Sequence, residues 1–109
     1  MRIAQVKGRV TLNTALPDWP VGALLICEAL DAAALAKGVQ PGEGAVVREK
    51  PMPESLVVLD QLGAGEDDLI AVSEGREAAM PFHPTKRAID AYCVAILDHL
   101  QVDASLLQT

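Results

Sequence analysis

The even positions from residue 4 to 12 are Ala4, Val6, Gly8, Val10 and Leu12, and the odd ones between them are Gln5, Lys7, Arg9 and Thr11. A period of two is the mark of a strand with one face toward the core, so Ala4 to Leu12 is expected to be half-buried β-structure. Pro17-Asp18-Trp19-Pro20 interrupts it. The prolines lack donors and bias their predecessors toward extended backbone, which places a loop there.

Ala23-Leu24-Leu25-Ile26-Cys27 is apolar at every position, and a strand tolerates that only when both of its faces are covered. In a domain this small the second cover is either a neighbouring subunit or the chain's own loops. Residues 31 to 54 are the least regular stretch. Asp31 is placed to cap a short Ala-rich helical turn ending at Gly38, and Pro41, Gly42, Gly44, Pro51 and Pro53 follow around a short strand at Ala45-Val46-Val47-Arg48.

Two more strands are expected at Ser55 to Asp60, stopped by Gly63-Ala64-Gly65, and at Leu69 to Ser73, ended by Gly75, with one helical turn from Arg76 to Met80 before Pro81. The last segment reads two ways. Ile89, Tyr92, Cys93, Ile96, Leu97 and Leu100 form a helical stripe behind Pro84 and Thr85, which by periodicity alone favours a helix over 86–100. The run Tyr92 to Leu97, closed by Asp98, equally fits a short buried strand. Several short strands with turn chemistry between them and only short helices predict a mainly β chain, a small closed or nearly closed barrel in one domain.

Composition narrows the chemistry. Trp19, Phe82 and Tyr92 are the only aromatic residues, so Val, Leu, Ile and Ala must fill the core and no stacking platform for bases is available. The net charge is -6, and Lys7 and Arg9, Arg48 and Lys50, and Lys86 and Arg87 are scattered pairs, which argues against a nucleic-acid partner. Met1 to Gln5 lacks the order of a signal peptide and no apolar stretch is long enough to span a bilayer, so a soluble, intracellular chain without a membrane partner is expected. Cys27 and Cys93 lie in apolar runs without a C-x-x-C spacing, as reduced buried thiols do, although a disulfide stays open.

No catalytic residue, metal site or cofactor site is assigned. Cys27, Cys93, His83 and His99 share no local ligand spacing, and Asp60, Asp90 and Asp98 flank apolar segments where carboxylates commonly end strands or cap turns. Glu66-Asp67-Asp68 lacks the alternating acidic spacing and distal Glu of a calcium loop and reads as a solvated acidic turn. Gly63-Ala64-Gly65 is either a tight turn or a place of close approach, since small residues admit neighbours and Gly adopts positive φ; no Lys follows to make it a phosphate loop.

Three segments, Ile3 to Val10, Leu59 to Gly65 and Ile89 to Asp98, together resemble the bacterial microcompartment vertex proteins, the pentameric shell proteins of carboxysomes and ethanolamine-type compartments. The resemblance implies an OB-like five-stranded barrel with one or two short helices, and a final segment that turns through about Ala91 and runs as a strand from Tyr92. It implies a non-enzymatic structural subunit in a cytoplasmic microcompartment shell, forming homopentamers at vertices among hexameric and trimeric shell proteins. Gly63, Ala64, Gly65 and Glu66 would then form a pore or pentamer-axis loop, Leu24 and Ile26 would lie in the subunit interface, and the acidic turn would bias the opening against anions. The chain departs from the family pattern at Glu66-Asp67-Asp68, at Arg76-Glu77-Ala78-Ala79 and in a longer 31–54 excursion. The competing function is an OB-like module binding a single-stranded nucleic acid or a small ligand.

Overall fold

A computed structural model describes residues 1–42, 55–84 and 88–106. Among these residues are five strands: β1 (Arg2–Val10), β2 (Ala23–Ala29), β3 (Ser55–Asp60), β4 (Leu69–Glu74) and β5 (Ala91–Ile96). They close into a barrel in the order β1-β2-β3-β5-β4. All neighbours run antiparallel except β3 and β5, which are parallel with Leu59 opposite Tyr92. This is the small closed barrel expected from the strand pattern, with the five-stranded OB-like architecture that the family resemblance implies.

The interior is filled from every strand by Ala4, Val6, Leu25, Cys27, Val58, Ile70, Val72, Ala91 and Cys93. Small aliphatic side chains suffice because a barrel of five strands has a narrow bore. Helix α1 (Ala32–Ala36) begins as anticipated, with the Asp31 carboxylate accepting from the Ala34 N–H at 2.9 Å. A second cluster of Leu30, Ala34, Val39 and Leu69 packs with Ile3, Leu35, Leu97 and Leu100 beneath it. Gln40 fastens this cluster to the tail, donating to the Leu100 carbonyl at 2.8 Å while its own carbonyl accepts from the Leu100 N–H at 3.1 Å. The short strand expected at Ala45 to Arg48 lies outside the described residues.

Helix α2 (Arg76–Ala79) is the expected turn, and it continues as a 3-10 turn from Met80 to Phe82. The helix that periodicity favoured over 86–100 is overturned, and β5 takes its place one residue earlier than the family reading put it. Its hydrophobic pattern fits both periods; the barrel decides. β4 and β3 would otherwise each present an unpaired ladder, and β5 satisfies both while placing Ala91 and Cys93 inside.

The simple alternation of β1 also fails beyond Val6. The register with β2 shifts between Val6 and Gly8, and an extra residue in one strand exchanges the two faces. Gly8 consequently faces outward opposite Ile26, where a Cβ would lie 3.7 Å from the Ile26 Cδ1. Leu12 falls beyond the strand and is exposed.

Candidate assembly surface and the loop above Asp60

On β2 the odd residues Leu25 and Cys27 point into the barrel, so Leu24 and Ile26 belong to the outer surface. The chain itself covers Leu24, which is 9% exposed in a row with Val10 and Leu59. Ile26 is left 39% exposed and its partner on β3, Val57, 52%. Gly8, Ile26 and Val57 thus form an apolar row across three strands, with a cleft of about 390 Å³ beside Val57 lined by Ser55, Leu56, Glu74, Gly75, Asp90 and Ala91. Val57 escaped the sequence reading, although Leu56-Val57-Val58-Leu59 carries the same doubly apolar signal as β2.

Between β3 and β4 the loop 61–68 is built on Asp60, which is 3% exposed. Its carboxylate accepts three backbone N–H groups, from Leu62 at 3.0 Å, Gly63 at 3.0 Å and Ala64 at 2.8 Å. Asp60 therefore does cap a turn. Ala64 is drawn down into the barrel core, while Leu62, Gly63, Gly65 and Glu66 stay outside. Gly63 has φ +93 with no atom near the place of a Cβ, so here glycine serves the backbone angle.

A second tie holds the start of this loop. The Tyr92 hydroxyl donates to Gln61 Oε1 at 2.6 Å, and Gln61 Nε2 donates to the Val21 carbonyl at 2.7 Å. Gly22 lies directly against the loop root, where a Cβ would meet the Asp60 carbonyl oxygen at 2.8 Å. These side-chain bridges between distant segments leave no spacing signal in the sequence.

The acidic turn is less solvated than its composition suggests. Asp67 sits at φ +67 and exchanges hydrogen bonds with β1 through its N–H to the Val6 carbonyl at 2.9 Å, while the Asp68 carbonyl accepts from the Val6 N–H at 3.0 Å. Lys7 Nζ stands 3.4 Å from Asp67 Oδ1, and Asp68 Oδ2 accepts from the Gly65 N–H at 2.7 Å. Glu66 is the exposed member of the three.

Cys27 and Cys93 are free thiols inside the barrel. Burial pushes both up to about 12 from an ordinary 9.0, and the nearby Asp60 carboxylate adds to the shift. The folded barrel keeps these protons at a pH where the unfolded chain has lost them. The stabilisation is therefore complete below about pH 9 and is lost as the pH rises from there toward 12. Urea unfolding at pH 8 and pH 10.5 is expected to show the advantage of the wild-type chain over a Cys27→Ala/Cys93→Ala variant shrinking by at least roughly 1 kcal/mol. A pH-independent difference would contradict it. Among the described residues no group of three or more His, Cys, Asp and Glu side chains is arranged to hold a metal ion, and no helix is long and apolar enough to cross a membrane.

The family model described as ethanolamine utilisation protein EutN/carboxysome matches residues 1–98. The chain belongs to the EutN/CcmL family. Two relatives are carboxysome shell vertex proteins CcmL. That of Gloeobacter violaceus is 27% identical over 103 residues, covering 94% of this chain and 88% of the relative; that of Synechococcus elongatus is 29% identical over 103 residues, covering 94% and 89%. The solved structure of the Gloeobacter violaceus CcmL superposes with a TM-score of 0.71 at 27% identity, over 95% of this chain and 92% of that one. The fold is shared as well by GrpN of Rhodospirillum rubrum, a pentameric microcompartment shell protein, with a TM-score of 0.69 at 23% identity over 94% and 100%. The EutN/CcmL match takes in all five strands, the apolar row and the Asp60 loop.

Proposed function

We propose that this chain is a structural subunit of a bacterial microcompartment shell, five copies of which form a ring that closes a vertex. The family match across the whole barrel carries this reading, supported by the CcmL vertex proteins among its relatives. Five-fold closure needs a heterologous contact, in which two different patches of the same chain meet. Ile26 and Val57 supply one apolar patch, with the covered Leu24 next to Ile26 along the same face of β2. The loop Gly63-Ala64-Gly65-Glu66 lies toward the ring axis, where its two exposed glycines let five copies approach and the exposed Glu66 lends the opening negative charge.

The rim of the ring meets flat hexameric and trimeric shell proteins and turns the sheet they form. The role is one of shape, with no reaction, cofactor or metal assigned. Sedimentation or native mass spectrometry of the purified chain tests the ring. A species of about five times 11.5 kDa is expected, and a monomer at micromolar concentration refutes it. A monomer that also binds a single-stranded oligonucleotide would favour the competing OB-type module, against which the acidic net charge stands.

A further inference from the structure

Asp60 combines two features that a surface turn does not require. It is a carboxylate 3% exposed at the inner end of the loop, beside the thiols of Cys27 and Cys93, and three successive N–H groups converge on it. Burying a carboxylate is unfavourable unless its oxygens are satisfied by donors, and here three backbone donors come from the loop while the Cys93 thiol of β5 adds a hydrogen bond from the barrel. Folding of the barrel and shaping of the loop are thereby linked through one charge. The loop so held presents Leu62, an apolar side chain 53% exposed, beside Gly63, whose surroundings are open. A tip fixed before contact loses little freedom on binding, which favours association.

We infer that Asp60 is the positioning residue for ring assembly: its buried charge holds residues 62–64 in the shape that a second copy of this chain docks against. The inference rests on the vertex reading above and adds to it the group on which the contact depends. Asp60→Asn is the discriminating change, because it preserves volume but replaces one of the two acceptor oxygens by an NH2 donor, leaving at least one of the three N–H groups without an acceptor.

The wild-type chain and Asp60→Asn are to be compared for ring dissociation by native mass spectrometry over a dilution series, and for amide hydrogen exchange. The variant is expected to exchange the N–H groups of Leu62, Gly63 and Ala64 at least ~10-fold faster while those of β1 and β4 keep their protection, and to dissociate at a concentration at least ~10-fold higher. Unchanged ring dissociation despite the faster exchange overturns the inference, as does unchanged exchange at 62–64. A wild-type chain that forms no ring strikes at the vertex reading instead, while the exchange data still report on the clamp. Should Asp60→Asn not fold, Gly63→Ala disturbs the same loop from the outside, at a φ unfavourable to Ala and with no clash. It must then weaken the ring in the same direction, and an unaffected ring refutes the inference.

Discussion

Replacing Ile26 by Glu leaves a folded barrel that no longer assembles. The side chain is 39% exposed on the outer face of β2, so in the isolated subunit a carboxylate there remains in water and the cost to folding is about 1 kcal/mol or less. In a ring the same carboxylate would be buried against an apolar neighbour five times over. An unpaired buried charge costs several kcal/mol per site, so the dissociation constant of each contact rises at least ~100-fold. The check is a subunit-sized species in sedimentation with an unaltered far-ultraviolet dichroism spectrum. A ring that survives the substitution removes β2 from the interface.

One residue earlier the outcome reverses. Leu25 is 1% exposed and fills the bore together with Val58, its partner across β3. Leu25→Ala deletes three carbons from a space that a closed barrel cannot collapse into, and the loss is about 3 kcal/mol within the usual range of 2–5. A domain of this size holds only about 5–15 kcal/mol in total, so the melting temperature falls by upward of about 10 °C. The measurement is best made in the Ile26→Glu background, where mass action between subunits does not add to the apparent stability. A loss below about 1 kcal/mol would mean that Leu25 is not a core residue.

These two neighbours mark how far the sequence could be read. A strand apolar on both faces at Ala23 to Cys27 announced that something must cover its outside, and composition could not say whether that was the chain or a neighbour. The folded chain divides the strand, covering Leu24 and leaving Ile26 open, because Leu24 stands in the row of Val10 and Leu59 while Ile26 stands in the row of Gly8 and Val57. That division depends on the register between strands, which in turn depends on the bulge after Val6. A bulge has no hydrophobic signature, so a perfect alternation through Leu12 concealed it.

The final strand shows the same limit. Tyr92 to Leu97 satisfies a helical and an extended pattern equally, and only the unpaired ladders of β3 and β4 select between them. The family resemblance supplied that tertiary information where periodicity had none. At the loop, Asp60 was legible as a capping carboxylate from its place at the end of an apolar run. Its triple acceptance and the burial of Ala64 were not, because they depend on how the loop folds down over the barrel; nor was the Tyr92-Gln61-Val21 bridge, which joins segments whose separation in the chain carries no pattern.

The seam between β1 and β4 joins residues more than sixty positions apart, from Arg2 opposite Val72 to Gln5 opposite Leu69, and β5 must slide in parallel to β3 before the wall is complete. Such non-local pairing gives a high contact order and folding on the scale of milliseconds to seconds. A growing polypeptide cannot complete this topology at the ribosome until residues 91–96 have emerged. The wall therefore closes last, and any ring grows from finished barrels rather than from partly emerged chains.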